Sequence, residues 1–376
     1  LTEYLDSNAD LIIKIVVLTL AVFSTVVFFG TIFSRWLSNR LQKQKEVIRE
    51  ELSGLIIQFV SEDLSIEELK KKLITKADYA ILLKLSNELE KTLEGAERER
   101  LKRLLSLPEI RGFFTHRFNS GDPLEKAKAC LYYSKLSSVK KSVLSTILNY
   151  TDAEHPMLAY SASLVVISHG NIEQKNITIE NLLANNGLSN QALNDVFAEF
   201  QKQSSDDNSA ESKILIDLIA KRSYSNGRTS LLIDTLGELG FYESAGFLLE
   251  EFKNLPETGY DAEITVALIK VLTGFGMVEI LDRIHRDFIV SDYREVREAC
   301  AKAMGVFKSP KSIPFLKWLA VDHDFYVSFY AVKALYEYKD FEFSIVKIPD
   351  INQNRFDEMI GEIEMMNDRG LNGLSF

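Results

Sequence analysis

The chain has 376 residues, 46% of them hydrophobic, and its 54 acidic side chains against 44 basic ones give a net charge of −10. That balance excludes a general phosphate-binding surface, which needs basic residues to displace counterions, so nucleic acid is not an expected partner. Two cysteines, Cys130 and Cys300, are too few for a disulfide framework and fit a reducing compartment.

Residues 1–10 carry Glu3, Asp6 and Asp10 and no Lys or Arg. Residues 11–33, LIIKIVVLTLAVFSTVVFFGTIF, follow as an apolar run with one charge, Lys14. At about 1.5 Å rise per residue a helix of this run reaches roughly 34 Å, enough to cross a bilayer core of about 30 Å. Lys14 lies one turn inside the start, where its stem can snorkel to the headgroups. A cleaved signal peptide needs a basic region ahead, a shorter apolar core and a small-x-small site behind, and the run has none of these. The expectation is a retained transmembrane helix. Within it Ala21, Ser24, Thr25 and Gly30 interrupt bulky Phe and Val, and they are candidates for packing against another helix in lipid.

Residues 35–50 carry Arg35, Arg40, Lys43, Lys45 and Arg49 against Glu46 and Glu50. A basic excess marks the cytoplasmic side, which predicts a single-pass protein of the inner membrane with residues 1–10 outside and everything after the span in the cytoplasm. Trp36 fits an interfacial anchor, and anionic lipid heads account for the basic cluster. Ile48, Leu52, Leu55, Ile56 and Phe59 make one helical stripe, so the span is expected to emerge as a longer amphipathic helix. Leu69, Leu73, Tyr79, Leu82, Leu83, Leu89 and Leu93 extend a helical region, and residues 94–103 read as a solvated charged face. Residues 34–118 are thus expected to form juxtamembrane amphipathic helices.

In Asn119-Ser-Gly-Asp-Pro123 the chain turns and starts a helix, with Asp122 as N-cap and Pro123 in the first position. Residues 201–212, QKQSSDDNSAES, lack apolar periodicity and read as a linker or an exposed loop. Between and beyond these breaks the sequence repeats itself near every 32 residues. Val296, Ala303 and Met304 match Val327, Ala334 and Leu335, and Ile264, Ala267, Val271 and Leu272 match Val296, Ala299, Ala303 and Met304. A further unit begins near Ser230, and two more are expected in 123–150 and 155–185. A single helical pair cannot bury its apolar stripe, so units of this kind stack into a solenoid with a continuous core. Asp292 and Asp324 precede helices, where a carboxylate satisfies free amides.

The pattern D-x-x-x-V-R-x-A-x-A-x-A-M-G of 292–305, followed by a proline-containing turn and the helix Ser312–Leu319, resembles a HEAT repeat. In the next unit Ser328 replaces the usual Arg, and Tyr330 stands where a small residue is typical. The resemblance implies an all-α fold, a HEAT-like α-solenoid over 119–340, and a protein-binding scaffold with no cofactor. Membrane-anchored bacterial proteins of similar layout accompany larger membrane machines, including glycosyltransferases that make and export polysaccharide. Some HEAT-like proteins are instead enzymes, lyases or glycosylases, which keeps a solenoid enzyme as the alternative.

The residues nominate no catalytic or metal site. His116, His155, His169, His285 and His323 include no pair at metal-binding spacing. His285-Arg-Asp287 matches the opening of a kinase catalytic loop, but no phosphate-binding glycine loop accompanies it. In the tail, 341–376, Phe356, Met359, Ile360, Ile363 and Met366 fall on one helical face. That face either caps the last apolar surface of the array or docks onto a partner protein.

Overall fold

The computed structural model describes residues 2–73, 76–89, 92–202, 209–338 and 353–368. It is all-α: among these residues there is no strand. The chain divides into two compact units, Leu1–Ser120 with Lys135–Ser137, and Gly121–Ser134 with Ser138–Phe376.

The first unit is built on one helix, α1 (Thr2–Val60), which runs unbroken through the apolar segment and the basic flank. No proline falls in this stretch, so nothing removes a hydrogen bond from its ladder. Its last turns carry Leu52, Ile56, Phe59 and Val60, all buried. They pack with α2 (Ile66–Lys72), α3 (Lys76–Leu89) and α4 (Gly95–Leu105), and α5 (Pro108–Phe118) adds Ile110 and Phe114 to the buried side chains. The helical region expected over 69–93 is built from two helices, α2 and α3. A capping box of Ser65 and Glu68 opens α2, and the helix ends at Leu73. Nor is the charged run 94–103 only a solvated face. Leu101 is buried, and Arg100 donates to the Val60 carbonyl at the end of α1 and pairs with Glu62.

The second unit repeats one motif. Its first-layer helices are α6 (Pro123–Tyr133), α8 (Pro156–His169), α10 (Asn190–Lys202), α12 (Asn226–Glu238), α14 (Ala262–Gly274), α16 (Arg294–Phe307), α18 (Phe325–Tyr336) and α19 (Gln353–Asp368). Each packs on the next in that series. The partners α7 (Lys141–Leu148), α9 (Ile172–Ala184), α11 (Ser209–Ala220), α13 (Ala245–Lys253), α15 (Ile280–Arg283) and α17 (Ile313–Leu319) alternate with them in the chain. One apolar cluster runs from Ile167 to Ile363, as expected when stacking closes the core of each pair.

Small residues set the spacing. Ala267, Ala299, Ala303, Ala331 and Ala334 are buried, and a Cβ on Gly237 would meet Val271 at 2.6 Å, so α12 and α14 approach as only glycine allows. The ends of the expected linker or exposed loop, 201–202 and 209–212, are helical, in a pair α10–α11 that the sequence reading did not propose. Residues 203–208 lie outside the described residues, but α10 reaches Lys202 and α11 starts at Ser209. Glu211 is buried because it faces Lys175 at 3.4 Å, and Ser212 is buried beside it in the chain. A polar letter there marks a paired group, not solvent. Asp122 caps α6 by accepting from the Leu124 amide, and Asp324 caps α18 through Tyr326 and Val327. Asp292 caps nothing: the N-cap of α16 is Tyr293, without a side-chain bond.

Candidate functional site

The nominated tail face is on the inside of the molecule. Met359 and Ile363 are fully buried, and Phe356, Ile360 and Met366 are partly buried against the same core, on α18. Arg355 helps to hold α19 there by donating to the Asp322 carbonyl at 3.2 Å. All five nominated residues share one face, as the spacing required. The final residues, 369–376, lie outside the described residues.

Of the nominated membrane residues, Ser24, Thr25 and Gly30 are exposed on α1. Leu18–Trp36 is the one described segment long and apolar enough to cross a membrane, with mean hydropathy 1.6 and none of it buried. At 100° per residue Ala21, Ser24 and Thr25 share a face and Gly30 lies on another, so the helix brings three of the four together. The Ala21 side chain lies outside the described residues. Thr31 donates to the Val27 carbonyl at 2.7 Å, which satisfies its hydroxyl within the helix. At the basic end, the Phe33 and Trp36 rings stack at 6.0 Å, and the Arg40 guanidinium lies 5.6 Å from the Trp36 ring.

Polar clusters in the second unit hold its repeats together. Arg297 grips Asp322 of the next repeat through two bonds, 2.7 and 3.1 Å, and donates to the Ser291 carbonyl at 2.7 Å. Both side chains of this pair are buried. Ser328 stands 31 residues on, at the position that matches Arg297 in the preceding repeat. Its hydroxyl donates to the Ala320 carbonyl at 2.6 Å, and Met359 of α19 fills the space beside it. Arg283 binds the Phe252 and Leu255 carbonyls at the end of α13, satisfying acceptors that a helix terminus leaves open. Arg297 is the Arg of the repeat pattern, though its partner was not foreseen; Arg283 was not singled out, because a long charged side chain reads as surface until its partner is known.

His285-Arg-Asp287 has the same structural role. Asp287 accepts from Arg286 and from Arg283, and the bond from Arg286 comes first in holding its carboxyl below the usual range. A base clamped by two guanidiniums is a poor proton acceptor. His285 stacks on Phe315 with centroids 4.2 Å apart, and its Nε2 bonds Ser312 at 2.9 Å. Among the described residues no group of His, Cys, Asp and Glu has a metal-binding arrangement. Burial pushes the Cys130 thiol up to about 12 and Cys300 higher still, far from a reactive thiolate.

A crevice of about 290 Å³ is lined by Arg222, Tyr224, Asn226, Glu251, Tyr260 and Asp261 over an apolar floor. Its charges are already paired. Arg222 binds Glu251 at 3.0 Å, and Asp261 accepts from Asn226 at 2.6 Å while capping α14 through Ile264. The crevice is a seam between stacked pairs, with no group poised for chemistry. No protein-family model matches the chain, and no curated protein matches it.

Proposed function

We propose that this protein is a membrane-anchored scaffold whose HEAT-like array binds and organises a membrane-protein partner at the cytoplasmic face. The observation that supports it is the continuity of α1. One unbroken helix leaves Leu18–Trp36 unburied and then buries Leu52, Ile56, Phe59 and Val60 in the first unit. An apolar surface of that extent is stable only against lipid or protein. A helix that leaves it directly for a folded core holds that unit close to the bilayer. Tethering raises the effective concentration of the array for other membrane proteins. A single span cannot form a transport path, and a stacked array with its polar groups paired internally offers surface, not catalysis. The layout's resemblance points to a polysaccharide-making glycosyltransferase machine as the partner class.

The test is affinity capture of the full chain in mild detergent, with mass spectrometry of what accompanies it. One stoichiometric membrane protein is the expected result, and recovery of none would sink the scaffold reading. Exchanging residues 11–33 for an unrelated span of equal length divides the work. Lost recovery with membrane localisation intact assigns contacts to the Ala21, Ser24 and Thr25 face; full recovery assigns selection to the array alone.

A further inference from the structure

Residues 299–321 contain four lysines, Lys302, Lys308, Lys311 and Lys317, and no Asp or Glu, in a chain whose net charge is −10. The fold divides these lysines. Lys302 pairs with Glu298 and lies over Tyr330, and Lys308 reaches Glu337, whereas Lys311 is exposed just before α17 and Lys317 lies on α17 itself. With them come Pro314, Trp318 and Val321, all exposed; Trp318 is 48% accessible and Val321 41%. Pro314 and Trp318, four residues apart, share a face of this helix, with Lys311 just before it and Val321 just after it.

The acidic residues that follow are neutralised. Asp322 is held by Arg297, and Asp324 by Arg294, which also pairs with Glu295; the other exposed carboxylates within 279–338 are Glu279, Asp282 and Asp292, all ahead of α17 in the chain. The chain has two tryptophans, and the other, Trp36, flanks the apolar span. A second lysine-rich stretch, 126–151, also lacks acidic residues, but it exposes no large apolar side chain. Cationic charge without an insertable ring gives attraction without anchorage.

We infer that the α17 face, with Lys311, Lys317, Trp318 and Val321, docks on an anionic lipid surface. Lysines near a bilayer are drawn to acidic headgroups, and a tryptophan places its apolar body at the carbonyl level with its N–H toward water. Charge complementarity selects this occupant over zwitterionic lipid. The inference rests on the anchored reading above, because the tether supplies the proximity that two lysines and one ring cannot.

The two tryptophans allow the two claims to be tested separately on the full chain. Trp36→Phe leaves Trp318 as sole emitter, and Trp318→Phe leaves Trp36. Each is reconstituted into nanodiscs containing phosphatidylcholine dibrominated near the carbonyl end, with or without phosphatidylglycerol. Trp318 should be quenched and blue-shifted only in the anionic discs, and should recover in high salt, which screens surface attraction. Lys311→Glu with Lys317→Glu, both away from the core, should abolish the quenching while helicity by circular dichroism stays unchanged. Trp318 unquenched in anionic discs, or quenched equally in both lipids, overturns the inference. Loss of captured protein in the double-lysine variant without any quenching would do the same and make the face a protein contact. Trp36 unquenched in both discs would instead refute the anchor itself.

Discussion

Ala303 is a small letter whose environment decides its worth. It is fully buried on α16, at a position the repeat matches with Ala334 and Val271. Ala303→Glu would place an unpaired carboxylate there, and a cost of roughly 2–5 kcal/mol is expected. Thermal melting of the detergent-solubilised chain checks it; an unchanged midpoint would mean that the repeat register is misplaced. A second residue-scale prediction concerns pH. Burial holds the His285 imidazole below its usual range, against the weaker upward pull of Asp282. Between that depressed value and the ordinary one, about 6.5, the unfolded chain binds a proton that the folded chain refuses. The stability from His285 is therefore full above about pH 6.5 and is lost as pH falls toward the folded value. His285→Gln keeps an amide for Ser312 and cannot titrate, so its melting temperature should fall less steeply on mild acidification. Parallel profiles for both proteins would remove His285 from the account.

At the scale of the element, the last helix closes the array. A stacked core leaves an apolar face at its end, and α19 covers that face with Met359 and Ile363. Met359→Asp should lower the unfolding midpoint by several degrees and raise dye binding to exposed apolar surface. Glu362→Ala, on the exposed side of the same helix, should shift stability by less than about 0.5 kcal/mol. Equal effects from the two would show that α19 is not a cap. The periodicity of Phe356 to Met366 was legible because apolar spacing states which face is wet and which is dry. What lay against the dry face was not legible, since a helix on a neighbouring repeat and a helix on another protein demand the same letters. The pair α10–α11 failed for the opposite reason. Glu211 and Ser212 look like solvent-facing residues until Lys175, 36 positions away in sequence, is seen to meet Glu211.

For the whole molecule, five basic residues on one side of the apolar run and none on the other predict an orientation with residues 1–10 outside. A cysteine placed at Ser145, exposed on α7, should resist membrane-impermeant maleimide in intact cells and react after permeabilisation. Cys130 and Cys300 are buried with raised thiol pKa values, so the native background should be low. Rapid labelling in intact cells would reverse the topology and, with it, the side on which the array meets a partner.

By itself the sequence determined the fold class, the apolar run, the break at Asn119–Pro123 and the register of the repeats around 264–336. Each of these is local, written in spacing that a helix of 3.6 residues per turn reads directly. The tertiary structure alone decided that Arg297 is a buried clasp on Asp322, that Asp287 is clamped by arginines, and that Ser328 stands where α19 leaves room for a hydroxyl and a thioether. Asp287's partners are local, one and four residues away, whereas Arg297 and Asp322, and Ser328 and Met359, meet across packed helices from 25 and 31 residues apart. A charge or a hydroxyl carries no mark of its partner in the sequence, and only packing determines whether it is solvated or spent.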